Sequence, residues 1–355
     1  MNFALVLTNL AGGGAERSML RLAAALHHRG HRVRMILLED RVEHQVPAGI
    51  ELQALAQRSR KGMVGKWLGA RRLRQLGLGN DYLTVSTLPF ADEIAVRAQL
   101  PNLWCRITNT LTAEIDSLRR MNPGKAKRRL ARYRRLYEGR NLVAVSEGVA
   151  SDLRRGIRLQ HARVVRIYNG FDFDAIREAA ALHEADLPRE PFVLHAGRFL
   201  PQKRHDLLFE AWQRAGLPHH RLVLLTPRSA EMDALIARHG LKEQVLVAGF
   251  RPNPYPWMRA AELLVLSSDR EGMPSVLVEA LACGTRVVST DCPSGPREVL
   301  RGELARWLVP CGDAHELADR MRAALAAARP GAAALPPEFT EAHMAQAYEH
   351  LVCEH

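Results

Sequence analysis

Two glutamates, Glu271 and Glu279, stand with seven residues between them in the stretch SSDREGMPSVLVEALACGTRVVSTDCPSGPREV. An apolar run ahead of them, Leu263–Leu266, reads as a buried strand. Gly272 and Pro274 supply a turn, and helix-like sequence begins near Ser275. The spacing puts Glu271 on the loop leaving a strand and Glu279 on the first turns of the next helix. Between them fall the open N–H groups of a helix N-terminus, which form a natural anion site. Carboxylates on both sides of an anion site suit a ligand whose hydroxyls flank a phosphate. A nucleotide sugar has that order: hexose, diphosphate, ribose. A capping box would place Glu or Gln three residues after Ser275, but Val278 stands there, so local capping does not account for Glu279. Accepting hydrogen bonds from ribose hydroxyls does.

A second cluster lies in HAGRFLPQKRHDLLFEAW. Arg198 offers a planar fork that matches phosphate, and Lys203 adds a point charge on the same short loop before a helix. A departing diphosphate gathers charge as the bond to it breaks, and such cations stabilise it. By themselves they also read as solvated surface cations; the two glutamates shift the balance toward a site. Glycine-rich AGGGAER, residues 11–17, lets a backbone approach a phosphate or sugar closely. It is not G-x-G-x-x-G, because Arg17 occupies the last glycine position, and no G-K-[ST] follows to make a P-loop. Asp172-Phe173-Asp174 is a D-x-D with no third ligand nearby and reads as turn and capping residues. His27 and His31, the one H-x-x-x-H, lie either side of the helix-stopping Gly30 and read as surface residues.

These groups need strands to hold them. Phe3–Thr8, Val33–Leu38, Tyr82–Val85, Leu103–Thr108 and Leu142–Val145 read as strands of the front half, with a helix over Glu16–Arg29. Phe192–Ala196, Leu222–Thr226, Val245–Ala248, Leu263–Leu266, Arg286–Ser289 and Trp307–Val309 read as strands of the back half. Strand and helix alternate throughout, which means α/β architecture with parallel sheets covered on both faces. Two Rossmann-like domains follow, over 1–170 and 171–337, joined near Asn169–Asp174. A helix over about 338–355 comes after an Ala-rich linker. Ligands of such sheets bind at the carboxyl ends of strands, where the Gly-rich, Arg/Lys and Glu motifs all fall. Two sheets facing across a cleft would bring them together.

Composition narrows the classes. The 355 residues are 47% apolar, enough for two cores. No run of about 18 apolar residues spans a membrane, and the opening MNFALVLTNLAGGGAE reads as a first strand, not a signal peptide. Five scattered cysteines without C-x-x-C argue against a disulfide framework or zinc and for a reducing cytosol. The net charge of +12 is uneven: residues 1–170 hold 30 Lys/Arg against 13 Asp/Glu, and the remainder is acidic by 5. The front half therefore seeks an anionic partner. Residues 58–74 carry seven cations, among them Arg60 and Lys61, no acid, and an interleaved Met63, Val64 and Trp67. Residues 119–140 carry ten cations, with Ala126, Leu130, Tyr133 and Tyr137 on one helical stripe. Cations beside apolar side chains suit an anionic membrane surface; a stripe packed on the core with charges outside is the alternative for the second stretch. Few aromatics and no RNA-binding signature weigh against nucleic acid.

Taken together, IYNGFD, HAGRFLPQKRHDLL, GFRPNPYPWMRAAELLVLSS, EGMPSVLVEALACGT and DCPSGPREV resemble family-4 glycosyltransferases of the GT-B fold, especially bacterial enzymes of envelope polysaccharide assembly. Glu271 and Glu279 match that family's E-x7-E. The resemblance implies retaining transfer from a nucleotide sugar without a bound metal or other cofactor, and a C-terminal helix that crosses back to the N-terminal domain. It implies that Arg198 and Lys203 hold the diphosphate, and that Glu271 binds the hexose and Glu279 the ribose. Gly13, Gly14 and the Met273, Pro274, Ser275, Val276 turn would approach the donor, with Phe250 and Arg251 near the base. Some members carry a histidine after the strand that here runs into RITNTLTAE; this chain has Thr108 and Asn109 there, which leaves Asn109 as the candidate. The reading is a hexose or N-acetylhexosamine transferase, UDP-sugar first and GDP-mannose next, acting on a saccharide or lipid-linked acceptor at the cytoplasmic membrane face. A nicotinamide oxidoreductase, with Glu39 or Asp40 as its ribose acid, fails at Arg17, and a basic nucleic-acid binder is the remaining alternative.

Overall fold

The computed structural model describes residues 1–11, 13–58, 62–329, 331 and 335–353. Gly12, Arg60 and Lys61, named above, lie outside them. The chain forms two compact units: Met1–Phe171 with the segment from Pro337 onward, and Asp172–Pro336.

The first unit runs β1 (Asn2–Leu7), α1 (Gly14–His28), β2 (Arg32–Leu37), β3 (Glu51–Ala54), α2 (Met63–Arg74), β4 (Tyr82–Thr87), α3 (Pro89–Ala98) and β5 (Leu103–Ile107). It continues through α4 (Leu111–Met121), α5 (Pro123–Tyr137), β6 (Asn141–Ala144), α6 (Glu147–Ser151) and β7 (Arg163–Arg166). The sheet order is β3-β2-β1-β4-β5-β6-β7, parallel throughout. Central strands such as β1 are apolar at successive positions because both faces are covered. Leu5 and Leu7 pack with Met19, Leu22 and Leu26 of α1, while Ala4 and Val6 pack on the other face with Leu73 of α2 and Ile94 of α3.

The expected single helix over 119–140 is two. Asn122 takes an extended conformation, as residues before proline do, and its Oδ1 accepts from Lys125 N at 2.9 Å to cap α5. The stripe faces inward: Ala126, Tyr133 and Tyr137 are buried, which is the core-packing alternative.

The second unit runs α7 (Phe173–Ala180), β8 (Phe192–Ala196), α8 (His205–Ala215), β9 (Arg221–Leu225), α9 (Ala230–Arg238), β10 (Val245–Val247), α10 (Tyr255–Ala260) and β11 (Leu263–Leu266). It ends with α11 (Ser275–Ala282), β12 (Arg286–Thr290), α12 (Pro296–Val299), β13 (Leu308–Val309) and α13 (Ala314–Ala326). Its sheet is again parallel, ordered β10-β9-β8-β11-β12-β13. The order reverses between β8 and β11, the switch point where open parallel sheets bind ligands.

The last helix, α14 (Glu341–Cys353), belongs to the first unit and packs on α1. Met344, Ala345, Tyr348 and Leu351 are buried there. Glu349 accepts from Arg29 at 2.6 and 2.7 Å and pairs with His31 at 2.6 Å. His31 is therefore not the plain surface residue its spacing suggested: it is one of two anchors for the returning helix.

Candidate active site

The switch point brings the loops after β8 and β11 side by side. The β8 loop passes Gly197 and exposed Arg198, then tightens into a 3-10 turn at Pro201–Lys203. The β11 loop carries Glu271, 7% exposed, into α11. Lys203 Nζ donates to Glu271 Oε1 at 2.6 Å, with both side chains largely buried. A cation and a carboxylate separated by 68 positions in sequence thus form one unit.

Several contacts hold this pair in place. Ser267 Oγ donates to Lys203 O at 2.8 Å, and Asp269 N to Gln202 O at 2.9 Å. Arg204 adopts a left-handed φ of 49°, unfavourable for a residue with a Cβ. Its guanidinium bridges Asp206 and Asp269 at 2.9–3.2 Å, which holds the strained turn. Beneath the loop, His195 Nδ1 lies 2.9 Å from Val265 O, and the ring packs edge-on against His205, centroids 4.7 Å apart. Burial lowers the affinity of both rings for protons. His205 is pulled to about 4, with Lys203 adding to the effect, so the two histidines sit as neutral packing under the lysine.

The turn from Gly272 to Ser275 is shaped from the β12 side. Ser294 Oγ donates to Gly272 O at 2.9 Å. Gly295 has φ +93°, and a Cβ there would lie 2.4 Å from Pro274 Cδ and 2.8 Å from Gly272 O, so no other residue fits without moving the turn. Pro274 stands at the N-cap of α11 and offers no side-chain acceptor, which leaves the first-turn N–H groups of Ser275 and Val276 open to an anion. Met273 is buried beneath, and Glu279 is buried one helical turn further on. Arg198 makes no hydrogen bond or ion pair with another described residue.

The remaining candidates are placed as follows. Phe250 is half exposed. Arg251 is engaged: it bonds Asp186 at 2.7 Å and Ala248 O at 3.1 Å, and lies 5.0 Å over the Trp257 ring. Asp172 accepts from Asp174 N and Ala175 N, capping α7 in the manner its D-x-D suggested. In the first unit Gly13 is the N-cap of α1, where a Cβ would collide with the buried Glu16 carboxylate at 2.0 Å, while Gly14 faces open space. Asn109 Oδ1 accepts from Thr110 N at 2.8 Å, a local turn contact at the start of α4. Ser267, Arg204, Asp269, Ser294 and Gly295 were not singled out from sequence. Only the turn formers around Gly295 carried a signal; the rest act across loops far apart in the chain.

The fold is shared with known proteins. HepE from Anabaena, solved in complex with UDP and glucose, superposes with a TM-score of 0.74 at 20% identity over 99% of this chain and all of that one. Two parallel Rossmann-type units make this an α/β protein of the GT-B glycosyltransferase class. The Glycosyltransferase Family 4 model matches residues 12–175, and the Glycosyl transferases group 1 model matches residues 182–333. The chain belongs to glycosyltransferase family 4 and is a glycosyltransferase. It is 28% identical to N-acetylgalactosamine-N,N'-diacetylbacillosaminyl-diphospho-undecaprenol 4-alpha-N-acetylgalactosaminyltransferase of Campylobacter jejuni, over 83% of this chain and 82% of the relative. It is 25% identical to the lipopolysaccharide core biosynthesis glycosyltransferase LpsD of Rhizobium meliloti, over 87% and 84%.

Proposed function

We propose that the chain transfers a hexose or N-acetylhexosamine from a UDP-sugar, with retention at the anomeric carbon, to a lipid-linked saccharide of envelope glycan synthesis. The observation that carries the reading is the 2.6 Å Lys203–Glu271 bond beside the uncapped α11 turn. Lysine has three donors, and one on Glu271 leaves two for phosphate oxygens. Glu271 meets the sugar hydroxyls through its carboxylate. The pair therefore marks the junction of hexose and diphosphate. Arg198 and the Ser275 and Val276 amides complete the diphosphate site, and Glu279 receives the ribose.

The donor's bond from its anomeric carbon to the phosphate oxygen breaks, and the electron pair leaves with the diphosphate. Lys203, Arg198 and the amides stabilise that charge without a metal. Asp172, the residue a metal-binding D-x-D would need, is already a helix cap. The sugar passes through an oxocarbenium-like state. The acceptor hydroxyl attacks the face the diphosphate leaves, and a departing phosphate oxygen takes its proton. The UDP preference draws on HepE, whose structure contains UDP, and the lipid-linked acceptor on the Campylobacter relative, whose name includes diphospho-undecaprenol.

Membrane contact is assigned to the first unit. Met63, Val64 and Trp67 of α2 are 81%, 70% and 58% exposed. Glu93 of α3 ties this helix to α5, accepting from Lys66 at 2.8 Å and Arg132 at 2.6 Å. Exposed Lys125, Lys127 and Arg128 of α5 add charge for an anionic surface. No helix among the described residues is long and apolar enough to cross a membrane.

The test is transfer from UDP-glucose, UDP-galactose, their N-acetylamino forms and GDP-mannose to bacterial lipid-linked oligosaccharide, with the product anomer read by proton NMR. One UDP-sugar should yield an α-linked product. An inverted anomer, or turnover with GDP-mannose alone, would overturn the reading.

A further inference from the structure

Away from the donor site, the first unit carries a pocket of about 440 Å³, within the roughly 300–1,000 Å³ of small-molecule sites. Three elements wall it. α2 turns Gly65, Leu68, Gly69 and Arg72 toward it, the i, i+3, i+4, i+7 pattern of one helix face. α3 contributes Phe90 and Ile94, and the segment after β3 contributes Leu55 and Arg58. Glycine is a poor choice inside a helix, yet α2 places two on this one face. A Cβ on Gly69 would lie 3.2 Å from Ile94 Cδ1, so bulk added there must enter space that α3 borders.

The rim differs from the walls. Arg58 is exposed, and exposed Arg72 donates from Nη1 to Leu55 O at 3.2 Å. Arg71, on the same turn, lies 5.8 Å over the Trp67 ring. Met63, Val64 and Trp67, on the first half of the same helix, are exposed. Leu68, Phe90 and Ile94 inside suit a hydrocarbon chain, and guanidinium groups at the mouth suit a phosphate.

We propose that this pocket receives the head-proximal chain segment of a single-chain lipid phosphate, the carrier of the acceptor saccharide. The inference rests on the lipid-linked acceptor reading above. The chain lies against Leu68, Phe90 and Ile94, and the phosphate meets Arg58 and Arg72. The exposed side chains of α2 touch the bilayer from which the chain is drawn. The position fits: β1, β2 and β3 are parallel, so the segment after β3 and the Gly13–Gly14 turn after β1 lie at the same edge of the sheet. A carrier held by its phosphate at this edge presents its saccharide on the side where this unit's glycine turn stands.

The test uses the full-length protein and a decyl phosphate bearing a terminal diazirine, with photo-adducts mapped by mass spectrometry. Saturable labelling is expected on residues 65–72 and 90–94. Excess decyl phosphate should compete; decanol, inorganic phosphate and dioleoyl phosphatidylglycerol should not. Gly69→Leu and the Arg58→Glu/Arg72→Glu pair should each reduce labelling at least about tenfold while UDP-induced thermal stabilisation is unchanged. The charge-reversed pair alone decides if Gly69→Leu does not fold. Labelling elsewhere, or labelling unaffected by charge reversal, overturns the proposal. Equal competition by decanol removes the phosphate from it, and competition by the two-chain lipid assigns the pocket to bulk bilayer; either overturns it. Adducts in place with no transfer to any saccharide would defeat the functional reading instead, and transfer without adducts would defeat the pocket alone.

Discussion

Lys203 and Glu271 share one short hydrogen bond, so removing either leaves the other in a largely buried place without its partner. Loss of a donor aimed at developing charge costs on the order of 10²–10³ in rate. Lys203→Ala and Glu271→Gln are each expected to lower kcat/KM by about that factor, and the double variant by much less than the product, as groups acting as a unit do. Steady-state kinetics of the four proteins checks this; multiplying losses would mean that the pair does not work as one. Below it, His205 packs with Phe199, Phe209 and His195, and neither of its nitrogens has a hydrogen-bond partner among the described residues. Burial first, and Lys203 second, hold its pKa near 4, below an unfolded value of 6.5. A base lowered in this way leaves stability intact above pH 6.5 and removes it as pH falls toward 4, by up to about 1.4 kcal/mol per pH unit. His205→Phe should flatten that acid limb in thermal melts between pH 7 and 4.5; an unchanged limb would rule His205 out as its cause. The glutamates and Lys203 were legible because motif spacing and the strand-to-helix transition place them. Ser294, Gly295 and Arg204 were not, because their value lies in contacts between separate loops. Arg251 was legible as a motif residue, but its ties to Asp186 and Trp257 are visible only in three dimensions.

At the scale of elements, the strands read in the first unit are its central ones, and the two missed are β3 and β7, the edges of its sheet; all six strands of the second sheet were read, its edges β10 and β13 included. The two missed sequences, ELQA and RVVR, are four residues long and each opens on a charged residue, as edge strands tend to be, and carry little apolar signal. The break between α4 and α5 is marked by Asn122-Pro123, and the apolar stripe from Ala126 to Tyr137 lies wholly within α5. α2 leaves Met63, Val64 and Trp67 exposed. Replacing Met63, Val64 and Trp67 together with serine should change stability by less than about 0.5 kcal/mol per site, because all three are exposed. Co-sedimentation with anionic vesicles should fall at least about tenfold; undiminished binding would move the membrane contact elsewhere. α14 depends on its anchors. Hydrogen bonding from Arg29, with His31 adding, holds the Glu349 carboxyl at about 2, below its ordinary 4.5. That contribution is present above pH 4.5 and is lost as pH falls toward 2. Glu349→Gln is expected to lower Tm by a few degrees at pH 7 and by nothing at pH 2. Equal shifts at both would show that the pairing with Arg29 and His31 is not what anchors the helix.

For the molecule as a whole, charge and chemistry divide along the chain. The first unit is basic and bears the apolar tip of α2 with the pocket behind it; the second bears the Lys203–Glu271 pair at its sheet's switch point. Alternation of strand and helix made both Rossmann-type units legible from sequence. The partition of labour came from charge asymmetry and from motif position, and base preference has no such signal in the chain. The measurement that tests the account most directly is calorimetric titration of UDP, GDP and NAD into wild type and Lys203→Ala. The account predicts that UDP binds the wild type in preference to GDP and NAD, and that Lys203→Ala weakens UDP by about tenfold or more, the worth of one charge-assisted hydrogen bond. Undiminished UDP binding in the variant, or a preference for NAD, would contradict the assignment of Lys203 and Glu271 as the diphosphate–sugar junction.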